Sequence, residues 1–205
     1  LSCLFLNLNA QENNFTLAKE YFRSGDCEKA IALFERLDED DRAIRSYYSN
    51  YLSCLLEKEE YKKAENLVKK LQRKNPQHPK YTADLGFVFK TKGLVKKAEK
   101  QFHKAINQLE PGKTHLVTSL ANTFNTKGAY DWTLKTYEKG QNINPQYNFG
   151  FHLAQSYRTL GNTEKMISIY LELVETNPNN RQSVQNNLQN TLGRTKGTEG
   201  NFDLL

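Results

Sequence analysis

The strongest constraint on the fold is a repeat of about 34 residues. One turn position recurs in every repeat, at Gly25, Glu59, Gly93, Gly128 and Gly161, and successive members lie 33 to 35 residues apart. A fixed period between about 20 and 50 residues is the signature of an array of small structural units. Each such unit can bury its hydrophobic residues only against its neighbours. The chain is therefore predicted to be a linear array of similar units.

The best-preserved unit, from Tyr81 to Gly112, predicts two amphipathic helices joined by a tight turn at Gly93. Its small and large residues recur at helical spacing, as Leu85, Gly86 and Phe89 before the turn and Ala98, Phe102 and Ala105 after it. Small residues let paired helices approach closely, and large ones fill the space beside them. Only five prolines and 11 glycines occur among 205 residues, and Lys, Glu, Leu and Ala are abundant, so helix is favoured over strand.

These recurring positions resemble the tetratricopeptide repeat over about residues 11–178. The resemblance implies an all-α fold, an α-solenoid of tandem antiparallel helix pairs wound into a right-handed superhelix. It places five repeats at residues 11–44, 45–78, 79–112, 114–146 and 147–179. The fourth repeat departs from the pattern at Thr133 and Gly140, where small apolar residues are usual. We expect its second helix to be the least stable, because a glycine inside a helix costs about 1 kcal/mol relative to alanine.

The two ends of the chain differ from the repeats. Residues 1–10 are apolar and end in a small residue, Ala10, which is typical of the end of a signal peptide cleaved there. The alternative is that Leu1 to Ala10 belongs to the first helix of the fold. Residues 180–192 predict one further helix, either a terminal cap or the start of a sixth repeat. Residues 193–205 predict a linker and the start of a continuing region, so we expect a larger protein.

Charge is distributed unevenly, and the net charge of the whole chain is +6. Six lysines stand in pairs on predicted second helices, where the helical pattern turns them away from the packed positions. They are Lys62, Lys63, Lys69, Lys70, Lys96 and Lys97. A solvated face is one interpretation, and peripheral contact with an anionic surface is the other. Nucleic acid is not the expected partner, because the basic residues are not interleaved with exposed aromatic residues.

Residues suited to catalysis or to metal binding do not cluster in the sequence. The four histidines, His78, His103, His115 and His152, are scattered singly, without the spacing of metal ligands. No phosphate-binding loop or nucleophile motif occurs. Cys27 and Cys54 are too few for a disulfide framework, and two buried thiols are the expected state. We expect no catalytic activity, no metal and no cofactor.

The resemblance implies a concave groove lined by the first helix of each repeat, which binds a peptide or a partner protein. Groove residues should lie on first helices, away from the packed positions. They are predicted to be Lys19, Phe22, Arg23, Asn50, Ser53, Phe87, Lys90, Asn122, Asn125, Gln155 and Arg158. Asparagine side chains can bond a peptide backbone as donor and as acceptor, and phenylalanine supplies apolar anchors.

Chaperone-binding members of the family hold a terminal carboxylate with Lys, Asn and Arg on successive first helices. Lys19, Asn50 and Lys80 fall at matching positions, but Phe15 and Asp84 do not. A carboxylate beside Asp84 would be repelled, so we do not expect capture of a chaperone tail.

The sequence therefore predicts a non-catalytic scaffold for protein–protein interaction, exported and associated with the envelope of a bacterium. Two alternatives remain open. One is a cytoplasmic adaptor, and the other is a regulatory module of a larger protein with a catalytic domain beyond residue 205.

Overall fold

The computed structural model describes residues 14–37 and 44–194, and every element within them is helical. The helices are α1 (residues 14–23), α2 (Cys27–Leu37), α3 (Ile44–Glu57), α4 (Tyr61–Lys74), α5 (Pro79–Thr91), α6 (Val95–Asn107), α7 (Thr114–Asn125), α8 (Tyr130–Ile143), α9 (Gly150–Thr159), α10 (Thr163–Thr176) and α11 (Arg181–Arg194). A 3-10 turn at Pro178–Asn180 precedes α11. Helices α1 to α10 form five successive pairs joined by short turns, which confirms the all-α helical-repeat fold.

The turn inside each helix pair has the same backbone conformation in all five copies. Gly25, Gly93, Gly128 and Gly161 have φ between 68° and 79°, and Glu59 has φ of 58°. After α5, Gly93 donates its N–H to the carbonyl of Lys90, and Leu94 donates to Phe89. This left-handed ending satisfies carbonyls that the helix leaves free, and glycine adopts it without steric cost.

The chain divides into two compact units, Leu1–Gln108 and Leu109–Leu205, called unit 1 and unit 2 below. Unit 1 contains the pairs α1–α2, α3–α4 and α5–α6. Its core is continuous from Ala18 on α1 to Val88 on α5 and is rich in aromatic residues. Phe34 stacks on Tyr47 with ring centroids 5.4 Å apart, so α2 and α3 pack through rings.

Unit 2 contains the pairs α7–α8 and α9–α10, followed by α11. Its last core cluster joins Ala154, Met166, Tyr170 and Leu173 to Val184 on α11. At the end of α8, Asn144 donates its side-chain N–H to the carbonyl of Gly140 and accepts a hydrogen bond from the Gly112 N–H at 2.6 Å. The Asn-Pro pair thus ends α8 and ties it to the segment before α7.

Gly140 on α8 has a packing role that the repeat pattern did not predict. A Cβ added there would overlap Cγ1 of Val117 and lie 3.4 Å from Cε2 of Phe149. Alanine therefore does not fit without movement of the Val117 side chain. The expectation that Gly140 merely weakens α8 is incomplete, because the missing side chain is what allows α7 and α8 to pack closely.

The expectation of two buried thiols is wrong. Cys27 and Cys54 form a disulfide, with their Cα atoms 5.1 Å apart, and both residues are buried. Cys27 begins α2 and Cys54 lies on α3, so the bridge joins the first helix pair to the second. Sequence alone could not predict it, because two cysteines 27 residues apart meet only when neighbouring pairs stack.

Several predictions concern residues outside the described ranges. The signal-peptide prediction for residues 1–10 and most of the predicted linker lie there. Helix α11 continues to Arg194, so the linker predicted from residue 193 begins too early. Gly193 lies inside the last turn of α11 rather than after its end. No helix within the described residues is long and apolar enough to cross a membrane.

Candidate partner-binding site

A cavity of about 330 Å³ in unit 2 brings together side chains from α7, α8 and α9. This volume is at the low end of the range for ligand pockets, about 300 to 1,000 Å³. The lining residues are Asn122, Asn125, Tyr130, Thr133, Tyr137, Phe151, His152, Gln155, Ser156 and Thr159. We call this cavity the amide pocket, after Asn122, Asn125 and Gln155.

The amides reach the pocket because the opposite faces of their helices are buried. On α7, Leu120, Ala121 and Phe124 are fully buried, so Asn122 and Asn125 remain exposed. Residues three or four apart share a helix face. On α9 the same rule places His152, Gln155 and Thr159 along one stripe, with Ala154 buried behind it. First helices of two successive pairs thus line one cavity.

Aromatic side chains form the apolar part of the amide pocket. Tyr137 on α8 is buried, and its ring centroid lies 4.8 Å from that of His152. The ring centroid of Phe151 lies 6.2 Å from that of Tyr170 on α10. Tyr130, at the start of α8, is 41% exposed. The pocket can therefore cover an apolar group while amides at its edge form hydrogen bonds.

The amide pocket is electrically neutral near pH 7. Burial lowers the pKa of His152 below its ordinary value, which favours the neutral imidazole. Burial, and secondarily the neighbouring Tyr147, raises the pKa of Tyr137. The other lining residues are amides, hydroxyls and rings. Binding here depends on hydrogen bonds and apolar contact rather than on ion pairs.

The remaining predicted groove residues do not form a comparable pocket. Arg158 on α9 donates a hydrogen bond to Oγ1 of Thr191 on α11 at 3.2 Å, so it joins two helices. In unit 1, Arg23, Ser53 and Lys90 are exposed on their first helices, whereas Lys19, Phe22 and Asn50 are half-buried. Nζ of Lys19 lies over the ring of Phe15, 5.1 Å from its centroid.

The prediction that Phe87 faces the groove is wrong. Phe87 is only 6% exposed, and its ring centroid is 4.8 Å from that of Phe102 on α6. Every residue of α5 from Tyr81 to Val88 is buried. The pattern could not reveal this, because a helix buried on all sides shows no exposed face to mark its groove positions.

Asp84, which we expected to repel a carboxylate in the groove, is buried instead. Asp84 on α5 is 1% exposed and accepts a hydrogen bond from the hydroxyl of Tyr48 on α3 at 2.9 Å. It therefore belongs to the packing of unit 1. Nζ of Lys80, one of the residues matched to carboxylate-binding members, lies over the ring of Tyr48 at 4.9 Å. Lys80 thus packs against the tyrosine that is hydrogen-bonded to Asp84.

Sequence reasoning missed His152, Tyr130 and Tyr137 as lining residues of the amide pocket. His152 could have been found, because it precedes Gln155 by three residues and so shares its helix face. Tyr137 both packs in the core and lines the cavity. Among residues 14–37 and 44–194, no group of three or more His, Cys, Asp or Glu residues could hold a metal ion.

Two segments of the chain match known repeat families. A family model described as the tetratricopeptide repeat matches residues 151–180, and one described as the PPR repeat matches residues 16–41. The chain is also similar to the TPR repeat-containing protein YpiA of Bacillus subtilis (strain 168), with 29% identity over 129 residues. That match covers 62% of this chain and 30% of YpiA, so the chain spans less than a third of its relative.

Solved structures with a similar arrangement have low sequence identity to this chain. One is TTC0263, a TPR protein of Thermus thermophilus, which is 16% identical with a TM-score of 0.43. That match covers 89% of this chain and 98% of TTC0263. Another is YrrB, described as a TPR protein with an unusual peptide-binding site, which is 18% identical with a TM-score of 0.37. The match to YrrB covers 85% of this chain and 90% of YrrB.

Proposed function

We propose that the chain, which is similar to tetratricopeptide-repeat proteins, is a non-catalytic scaffold that binds a segment of a partner protein on its first helices. The observation that carries this proposal is the convergence of three amides, Asn122, Asn125 and Gln155, on one cavity. The ligand is an extended segment of a partner protein that places an uncharged side chain in the amide pocket.

The chemistry of the amide pocket suits a peptide backbone. Each amide side chain offers two N–H donors and a carbonyl acceptor, the same groups that an extended peptide presents. Tyr137 and Phe151 supply apolar area for a side chain between these hydrogen bonds. Because no lining residue is charged near neutral pH, an acidic or basic side chain would lose hydration there without gaining a counter-ion. The ligand side chain is therefore neutral.

The test is a selection of peptides from a random library on the immobilised chain, followed by affinity measurements with variants. Replacing Asn122→Ala together with Gln155→Ala should weaken binding of the selected peptides by about five- to 150-fold, since each lost hydrogen bond contributes about 0.5 to 1.5 kcal/mol. The matched control is Asn107→Ala with Asn142→Ala, which removes two exposed amides outside the pocket. The proposal fails if selected peptides bind the pocket variant as tightly as the unchanged chain.

We also propose that the protein is exported, and the Cys27–Cys54 disulfide supports this. Disulfides persist in oxidising compartments and are rare where glutathione and thioredoxin keep thiols reduced. In a cytoplasmic adaptor, the two buried cysteines would remain thiols. The redox state of this pair in the cell therefore discriminates between the two locations.

The redox state can be measured by alkylation of acid-quenched, denatured cells with a thiol reagent of large mass. For an exported protein, Cys27 and Cys54 react only after a reductant is added, and a Cys27→Ser, Cys54→Ser variant shows no reductant-dependent shift. Labelling of both residues without reductant would refute the oxidised state and favour the cytoplasmic alternative.

A further inference from the structure

A second cavity, of about 450 Å³, lies in unit 1 between α2 and α4. Its base is apolar, formed by Tyr51 on α3 and Leu67 on α4, which are both 5% exposed. Three cationic side chains of α4, Lys63, Lys70 and Arg73, line one side, and Glu35 of α2 lines the other. We call this cavity the cationic cleft. It shares no residue with the amide pocket.

The charge of the cationic cleft follows from the composition of α4. This helix carries six basic residues and one acidic residue, a net charge of +5 over 14 residues. Its aliphatic residues, Ala64, Leu67, Val68 and Leu71, are all buried, so the basic residues occupy the remaining surface. Helical spacing of three or four residues then aligns Lys63, Leu67, Lys70 and Arg73 on the side that faces the cleft.

Lys63 and Lys69 of α4 form ion pairs with acidic residues of the same unit. Lys63 pairs with Glu35 at 3.0 Å and with Glu60 at 3.3 Å, and Lys69 pairs with Glu65 at 2.6 Å. Lys63 is 47% exposed and Glu35 45% exposed, so their pair is hydrated and contributes little to stability. Counting only the residues that line the cleft, three cations face one carboxylate.

We propose that the cationic cleft binds an acidic segment of a partner protein, whose carboxylates contact Lys70 and Arg73. Lys63 and Arg73 are ten residues apart on α4, about 15 Å along the helix axis. An extended segment covers that distance in about four to five residues. A short run of acidic residues therefore matches the cleft in both length and charge.

Two other polyanions fit the cleft less well. Binding to an anionic membrane surface is strengthened by apolar side chains that enter the lipid. On α4 the aliphatic side chains are all buried. Single-stranded nucleic acid requires exposed rings on which bases stack. Tyr51, the aromatic residue that lines the cleft, is buried at its base. The charge, the cleft shape and the apolar base together favour a protein ligand.

Replacement of Glu35 tests the proposal in the opposite direction, because it should strengthen binding of an acidic peptide rather than weaken it. Its carboxylate repels an acidic ligand and forms an ion pair with Nζ of Lys63. Replacing Glu35→Gln keeps the size of the side chain, removes the repulsion and releases Lys63 from this pair. This variant should bind an acidic peptide more tightly, an outcome that damage to the fold cannot produce.

The experiment measures fluorescence anisotropy of a labelled peptide that alternates paired acidic residues with leucine, added to the full chain at 50 and 300 mM NaCl. We expect Lys70→Gln with Arg73→Gln to weaken binding about tenfold, and Glu35→Gln to strengthen it about threefold. The matched control, Lys100→Gln with Lys104→Gln, removes the same charge from the exposed surface of α6 and should change binding less than about twofold. Circular dichroism verifies that all variants are folded.

Three results would overturn the proposal. Equal losses in the two double variants would mean that diffuse charge binds the peptide. Equal binding of a control peptide with glutamine and asparagine in place of the acids would exclude recognition of carboxylates. Tighter binding of vesicles containing phosphatidylserine, or of single-stranded DNA, than of the acidic peptide would assign α4 to another class of partner.

Discussion

Glu59 occupies the one turn in which the repeat lacks glycine, and its replacement by glycine should stabilise the protein. Glu59 has φ of 58°, in the left-handed region that side chains with a Cβ rarely adopt. Its N–H donates to the carbonyl of Leu56 at 3.2 Å, and the N–H of Glu60 donates to Leu55 at 2.8 Å. These are the hydrogen bonds that glycine makes in the equivalent turn at Gly93, so the substitution changes no backbone contact.

The magnitude follows from two opposing contributions. The left-handed conformation costs a residue with a Cβ roughly 1 to 2 kcal/mol. Glycine removes this cost, but it also gives the unfolded chain more freedom, which reduces stability by about 0.4 to 1 kcal/mol. The difference lies between about 0 and 1.6 kcal/mol, with a central value of about 0.8 kcal/mol in favour of Glu59→Gly. For a chain of about 200 residues, this corresponds to a melting temperature higher by about 2 °C.

Thermal and urea unfolding followed by circular dichroism test this prediction with three companion variants. Glu59→Ala removes the charge but keeps the Cβ, so it should have little effect. Gly93→Glu places the strained residue in the equivalent turn, where a Cβ meets no atom within 4 Å, and should destabilise. Glu99→Gly, on the exposed surface of α6, should also destabilise, because glycine is unfavourable inside a helix. Destabilisation by Glu59→Gly, or equal effects of Glu59→Gly and Glu59→Ala, would refute the conformational argument.

Three further predictions concern packing, the disulfide and pH. Gly140→Ala should destabilise the protein by about 1 to 3 kcal/mol, because the added Cβ overlaps Val117. Asn142→Ala, at an exposed position of the same helix, is the control and should be tolerated. An unchanged free energy of unfolding in urea for Gly140→Ala would contradict the close packing. Reduction of Cys27–Cys54 should lower the free energy of unfolding by about 3.5 kcal/mol for a 27-residue separation, with the Cys27→Ser, Cys54→Ser variant insensitive to reductant. Burial lowers the pKa of His152 in the folded state, so the unfolded state binds a proton at higher pH than the folded state does. Stability should therefore fall as pH decreases below about 6.5. His152→Gln should make the melting temperature less dependent on pH between about 7.5 and 5.

The sequence predicts the packed positions of the repeat well because they recur in every copy. Ala30, Ala64 and Ala98 are all buried on second helices, as their five-residue distance from the turn requires. At four of the five turns, glycine itself indicates the left-handed conformation. At the remaining turn, Glu59 is identified only because it lies 34 residues from the glycines of the neighbouring repeats. Local physics and repetition agree at these positions, so each copy supports the interpretation of the others.

Exposed positions are less predictable because they depend on which neighbours cover each helix. Phe87 and Asn122 were both assigned to the groove by their place on a first helix, yet Phe87 is buried and Asn122 lines a cavity. The cationic cleft was not predicted either, since it requires Glu35 of one helix pair to face Lys63 of the next. Such contacts join residues whose distance in sequence carries no periodic signal.

The two units offer different chemistry to a partner, and this difference gives each cavity a distinct response to salt. Salt screens attraction between exposed charges, with a Debye length of about 10 Å at 0.1 M and 3 Å at 1 M. The cationic cleft of unit 1 should therefore lose affinity steeply as salt increases. The amide pocket of unit 2 has no charged lining residue near neutral pH, so its hydrogen bonds and apolar contacts should persist. A ligand of the cationic cleft should therefore dissociate as salt increases, whereas a ligand of the amide pocket should remain bound.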